Sequence, residues 1–218
     1  MMSLLKRSVL RLLERNETVK KMTSLYQFRH HFEDIGWFKS CIERLPVDRN
    51  GDALPWYTYP VIYFLEKRVT ADMRVFEYGS GNSTLWWSKR VASVVSCEHN
   101  RDWYDSLKGK MPSNVEYKYC EHVDGGQYSK VILEYLDNFD IIVIDGKDRV
   151  NCAKNTLKAL TSIGVIIWDN SDRDAYREGY EYLLQNGFRR LDFQGYGPVN
   201  PFAWRTSIFY RANNRLGI

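Results

Sequence analysis

Two short stretches constrain the fold most: Ile141-Ile142-Val143-Ile144 and Val165-Ile166-Ile167-Trp168. Neither contains a polar residue. A strand with one wet face alternates apolar and polar side chains, whereas a continuous apolar run belongs to a strand covered on both faces, as in a parallel sheet. Each run is followed at once by an acid, Asp145 or Asp169. From Met73 onward, strand-like runs fall at 74–78, 92–97, 115–120, 140–145 and 164–169. Helix-like runs lie between and after them, near 84–90, 101–109, 127–138, 149–161 and 174–186. Such βα alternation predicts a Rossmann-like, doubly wound α/β fold. Gly187, after Asn186, reads as a helix C-cap. Two more strands, near 188–194 and 205–211, have only a turn-rich segment between them and predict an antiparallel edge hairpin.

The segment before the sheet reads as an N-terminal helical extension over residues 1–70, with residues 71–218 forming the ligand-binding domain. Residues 22–45 are helical and rich in aromatics, Arg49-Asn50-Gly51-Asp52 is a turn, and a helix follows Pro60 to about Lys67. Residues 3–15 read as an amphipathic helix, with Leu5, Val9, Leu12 and Leu13 on one face and Arg7, Arg11 and Arg15 on another. That helix, with Lys20 and Lys21, has two readings: residues 3–21 touch an anionic membrane surface, or the helix docks on its own domain or on a second subunit, giving a homodimer. The formal charge of +4 is too mild to mark a nucleic-acid binder. The four cysteines form no C-x-x-C pair, so zinc and redox motifs are not expected and a reducing compartment is. With no apolar run of about 18 residues and no signal-peptide pattern, the expected location is cytoplasmic, or membrane-peripheral if residues 3–21 bind lipid.

The chemistry concentrates at strand ends. Gly79-Ser80-Gly81 follows the first sheet strand and opens a helix, so backbone N–H groups face a ligand at the carboxyl edge of the sheet. Glu98 ends the second strand 17 positions beyond Gly81, near the roughly 20 expected for a ribose-binding carboxylate. A dinucleotide fingerprint asks for a third glycine or similarly small residue, but Thr84 stands there. Glu77, two residues before the first glycine, would repel a pyrophosphate and suits a cationic ligand end. S-adenosylmethionine, with its ammonium and sulfonium, meets both conditions.

On these residues the chain resembles the class I S-adenosylmethionine-dependent methyltransferases. The resemblance covers about residues 73–211 and rests on the E-x-G-x-G loop at 77–81, Glu98, Asp145 and the late strand pair. Residues 76–87 with 94–99 resemble a group of bacterial methyltransferase-like proteins of undefined substrate. The resemblance implies a seven-stranded sheet of order 3-2-1-4-5-7-6 with the last strand antiparallel. It implies that Glu77 and the loop, Gly79, Ser80, Gly81, Ser83 and Thr84, hold the methionine part of S-adenosylmethionine. It implies that Glu98 holds the ribose beside His99, that the Asp124-Gly125-Gly126 turn lies near the adenine, and that Asp145 closes the cofactor site. Asp145, Asp169 and Asn170 are also similar to the metal-holding set of the catechol O-methyltransferase type, so a divalent cation such as Mg²⁺ is an alternative there, not the favoured one. That type's lysine stands three residues after its first aspartate; here that place is Asp148, and Lys147 is one position early.

The expected activity is methylation of an oxygen on a small molecule or sugar. Asp145 is the expected base, assisted by Lys147 or a cation, with Asp169 and Asn170 completing the catalytic group. His99 and His122 are further candidate bases. Tyr57, Thr58, Tyr59, Tyr196 and Trp204 are candidates for the acceptor pocket, against the alternative of packing between the N-terminal helices and the sheet. A catalytically inactive cofactor-binding or membrane-associated scaffold is the competing function. Aminopropyl transfer on the same fold asks for an acidic pocket, and the only acidic cluster is at residues 169–174.

Overall fold

The computed structural model describes residues 16–218, so the helix read at residues 3–15 lies outside the described part. The described part begins with helices α1 (Glu17–Asp34), α2 (Trp37–Glu43) and α3 (Tyr59–Glu66). Strand β1 (Arg74–Tyr78) leads into α4 (Asn82–Ser88), then β2 (Ser93–Glu98), α5 (Arg101–Leu107) and β3 (Val115–Tyr119). After α6 (Gln127–Lys130) come β4 (Phe139–Ile144), α7 (Arg149–Thr156) and β5 (Leu160–Asp169). Helix α8 (Arg177–Gln185) and the strands β6 (Arg189–Gly195) and β7 (Trp204–Tyr210) complete the chain.

All seven strands join one sheet in the order β3-β2-β1-β4-β5-β7-β6. The first five strands are mutually parallel, and β7 runs antiparallel to both β5 and β6. The order and the antiparallel strand are those the resemblance implied.

Two apolar layers explain why the central strands carry no polar alternation. Phe76, Ile142, Ile144, Ile166 and Trp168 point to the side covered by α6, α7 and α8. Val75, Ile141, Val143, Val165 and Ile167 point to the opposite side, where they meet α3 and α4. Successive strand residues project to opposite faces, so burial on both faces requires every position to be apolar. Each large aliphatic side chain so buried contributes about 1.5–3 kcal/mol. Leu54, Tyr57, Tyr59, Val61, Ile62 and Leu65 belong to the second layer, so this stretch of the extension shares the core of the sheet. Helix α1 has no buried residue.

Several boundaries differ from those read in the sequence. The expected helix at 22–45 is two helices, α1 and α2, that meet at Gly36. The run at 127–138 is one α-helical turn and a 3-10 turn that ends at Glu134. Tyr135 is then extended, and Asp137 has a positive φ of 46°. The run at 149–161 stops at Thr156 because β5 begins at Leu160, paired with Phe139. In both cases strand pairing and a turn override an apolar pattern that continues past the helix.

Candidate active site

The carboxyl ends of four adjacent strands place acids at one edge of the sheet: Glu77 on β1, Glu98 on β2, Asp145 after β4 and Asp169 on β5. Between β1 and α4 the loop turns at Gly79 (φ 100°) and Gly81 (φ 156°, ψ −143°), conformations that a Cβ disfavours. The loop is fixed from below. Gly79 N–H donates to the Cys97 carbonyl at 2.9 Å, and Ser96 Oγ donates to the Gly79 carbonyl at 2.8 Å. Thr84 Oγ1 accepts from Gly81 N–H at 3.1 Å and donates to Glu77 Oε2.

Glu77 is fully buried, and its second oxygen, Oε1, has no hydrogen-bond partner. Burial, helped by the nearby Glu98 charge, pushes its carboxyl up to about 7, against the neighbouring hydroxyls of Ser83, Thr84 and Ser96 that favour the ion. An orphaned buried acceptor beneath a glycine loop fits a ligand that brings positive charge. Without one, the folded chain holds a proton on Glu77 that the unfolded chain, with its carboxyl near 4.5, releases. The folded pKa is the raised one, so this contribution is complete below about pH 4.5 and is lost as pH rises through about 7. Ionised Glu77 therefore costs the fold up to about 3 kcal/mol. Glu77→Gln should be more stable than wild type by an amount that grows between pH 5 and pH 8, read as the difference in urea midpoints. A gap that is constant with pH would contradict an ionisable, ligand-free Glu77.

Glu98 is also buried, but satisfied. Its Oε1 accepts the backbone N–H groups of His99 and Asn100, each at 2.8 Å, and lies 3.0 Å from His99 Nδ1. Its Oε2 accepts from Ser80 Oγ at 2.7 Å, and that hydroxyl also meets Tyr117. Burial raises its carboxyl, but the bonds from His99, Asn100 and Ser80 outweigh burial and hold it below the usual carboxylate value. Glu98 is thus an ionised acceptor wired directly to the glycine loop through Ser80.

Asp145 and Asp169 face one another across the ends of β4 and β5, with Arg149 between them. Arg149 is buried and donates to three carbonyls: Gly146 at 2.9 Å, Asp145 at 2.9 Å, and Asp169. It also binds Asp145 Oδ1 at 3.0 Å. Asp169 Oδ1 accepts from Trp204 Nε1 at 2.9 Å and from Thr206 Oγ1, both on β7. Burial and the neighbouring Asp169 hold the Asp145 carboxyl well above its ordinary value despite Arg149. Burial likewise raises Asp169 to about 6, opposed by Thr206, Arg149 and Trp204.

Two cavities open on this edge. One, of about 130 Å³, lies over the glycine loop between Pro46, Trp56, Ser80, Asn82, Trp103 and Asp145. The other, of about 290 Å³, is walled by Trp56 and Trp204, floored by Asp145 and Asp169, and edged by Asn170, Arg173 and Asn200. They meet at Trp56 and Asp145, which line both.

Of the loop residues, Ser80, Gly81 and Ser83 line the first cavity, while Glu77 and Thr84 lie beneath it. Lys147 is exposed and lines neither cavity. Thr58 and Tyr59 also lie outside both. Thr58 N–H donates to Thr206 Oγ1, Thr58 Oγ1 donates to the Phe193 carbonyl, and Tyr59 N–H donates to the Tyr196 carbonyl. Tyr57 is fully buried below the acids, its hydroxyl taking a 3.4 Å bond from Trp87. Tyr196 is half exposed and packs edge-on against Phe32. Asp124 is exposed and lies 3.4 Å from His122 Nε2. His99, His122 and the buried Tyr128 form a ring cluster beside Glu98, with centroids 5.6–6.2 Å apart.

The sequence reading missed Arg149, Trp56, Trp103, Arg173 and Asn200 as site residues. Only Arg149 carries a signal, since it stands four positions after Asp145 at the start of a helix, a spacing that brings side chains together.

No protein-family model and no curated protein matches the sequence. Solved structures do match in fold. An O-methyltransferase described as putative, from Klebsiella pneumoniae, superposes with TM-score 0.55 and 18% identity, over 68% of this chain and 78% of that one. Precorrin-6y C5,15-methyltransferase from Geobacter metallireducens superposes with TM-score 0.53 and 17% identity, over 69% and 86%. The chain has the class I methyltransferase fold. A spermidine synthase from Thermotoga maritima aligns over 70% of this chain at 13% identity and TM-score 0.48, so that the chain spans 61% of that protein's length.

Proposed function

We propose that this chain is an S-adenosylmethionine-dependent methyltransferase that methylates a hydroxyl oxygen of a small molecule or sugar. The observation that carries this reading is that one carboxyl group, Asp145, lines both the cavity over the glycine loop and the cavity between β4 and β5. A donor in the first and an acceptor in the second would meet at that residue. When bound, S-adenosylmethionine supplies a methyl group already activated by its cationic sulfur. The chain then has to align two reactants and take up one proton.

Its residues suit those tasks. Glu77, buried beneath the cavity, favours an ammonium above it by its charge, and ionised Glu98 Oε2, which takes one bond from Ser80, has acceptor capacity left for a ribose hydroxyl. Asp145 Oδ1 is fixed by Arg149, while Oδ2 makes no hydrogen bond to another described residue and takes the hydroxyl proton. The raised Asp145 carboxyl favours this, since raising the pKa of a carboxylate makes it a stronger base. Arg149 pairs with Asp145 Oδ1 from below the cavity, so a permanent positive charge already stands beside the base.

A second reading keeps the cofactor site but assigns the chain a membrane-associated scaffold role. Helix α1 supports it: Met22, Leu25, Tyr26 and Phe28 are all about 60% exposed, beside Lys20 and Lys21. Among the described residues, no helix is long and apolar enough to cross a membrane. Transfer of a labelled methyl group from S-adenosylmethionine to hydroxyl acceptors is expected. Flotation of the chain with anionic liposomes, together with no transfer to any acceptor, would favour the scaffold instead.

A further inference from the structure

The cavity between β4 and β5 has a polarity that narrows the class of acceptor. Its floor is acidic, formed by Asp145 and the buried Asp169. Its exposed edge carries one cation, Arg173. Arg149 is consumed below the floor by its bonds to Asp145, Gly146 and Asp169. Arg173 is not consumed in this way. It is flanked in sequence by Asp172 and Asp174, yet it makes no ion pair among the described residues. Asp174 instead pairs with Arg177 at 2.9 Å, and Asp172 accepts from the Arg205 backbone N–H at 3.4 Å. The one side-chain bond Arg173 makes is a long one, 3.4 Å, to the Tyr176 hydroxyl. Arg173, which lines this cavity, therefore keeps donors to spare on a planar, permanently charged fork, a donor set suited to a carboxylate or phosphate.

We propose that the acceptor is an acid, with the hydroxyl to be methylated against Asp145 and a carboxylate or phosphate of the same molecule held by Arg173. This rests on the methyltransferase reading of the site. The two ends of the cavity also fix the orientation. An anionic group at the floor would face Asp145 and Asp169, whereas at the edge it meets Arg173 across the Trp56 and Trp204 walls. The acid's own oxygen is thus kept from the methyl donor, and the product is an ether, not an ester. The methyl–sulfur bond breaks, a methyl–oxygen bond forms, and the hydroxyl proton goes to Asp145.

Matched acceptor pairs test this, with labelled S-adenosylmethionine as donor: glucuronate against glucose, glucose 6-phosphate against glucose, and 3-hydroxybenzoate against its methyl ester. The phosphate and carboxylate arms distinguish the two anions. The acid of at least one pair is expected to be used more than about 10-fold better in kcat/KM than its neutral partner. Arg173→Gln should remove about 10- to 100-fold of that through KM, with kcat nearly unchanged, and Arg173→Lys should recover part of it. Calorimetric binding of S-adenosylmethionine should be the same in all three proteins. The proposal is overturned if neutral partners are used equally well, if no acid is methylated, or if Arg173→Gln slows acid and neutral acceptors alike. Failure of the wild type to bind S-adenosylmethionine would instead remove the methyltransferase reading beneath it.

Discussion

Replacing Asp145 with asparagine is expected to lower kcat for methyl transfer by about 10²- to 10⁴-fold, the range that a positioned general base contributes, while leaving cofactor affinity within a few-fold of wild type. Asparagine keeps the shape and still presents an acceptor to Arg149, so the fold at the ends of β4 and β5 should survive. What it removes is Oδ2 as a proton acceptor between the two cavities. Single-turnover methyl transfer measured beside cofactor binding separates the two effects. An Asp145→Asn enzyme with a near-normal rate would move the base elsewhere, with His99 the next group to test. A variant that has lost cofactor binding as well would show that Asp145 belongs to the donor side alone.

The largest stability effect should come from a residue that touches neither cavity. Arg149→Met removes the charge between Asp145 and Asp169 and leaves three carbonyls without their donor. Breaking a buried ion pair from one side costs about 3–5 kcal/mol, which for a domain of this size lowers Tm by roughly 10 °C. The loss should shrink in acid. Arg149 is one of the groups that hold Asp169 down to about 6 in the wild-type fold, so without it Asp169 takes up its proton at a higher pH still and sheds its unpaired charge before pH 5 is reached. Thermal unfolding of both proteins at pH 5 and pH 8 checks this. An Arg149→Met protein as stable as wild type at pH 8 would mean that the two acids do not depend on Arg149.

The sheet was legible in the sequence because its central strands are buried on both faces, which forces the unbroken runs at 141–144 and 165–168. The glycine loop was legible because its backbone conformation demands glycine at 79 and 81, and its acid lies two residues away. The acceptor side was not legible for the opposite reason. Thr58 is tied to Thr206, 148 positions away, and Asp169 to Trp204 and Thr206, contacts that only the β6–β7 hairpin creates. The aromatic run at 56–59 therefore divides in a way its composition does not show. Trp56 lines both cavities, while Tyr57, Thr58 and Tyr59 face inward. Trp204 does both jobs, walling the cavity between β4 and β5 while its indole N–H fixes Asp169. Arg173 is an ordinary exposed arginine in sequence, and only the neighbouring pairing of Asp174 with Arg177 leaves it free to act at the cavity mouth.

Calorimetry with S-adenosylmethionine tests the central claim most directly, since every proposed chemical step requires the glycine loop, Glu77 and Glu98 to hold that molecule. One equivalent is expected to bind the wild-type chain with a micromolar-range Kd. Glu98→Ala, which removes acceptors that a charged hydrogen bond values at about 1.5–3 kcal/mol, should weaken binding at least 10-fold. No measurable binding by the wild type, or unchanged binding by Glu98→Ala, would contradict the account.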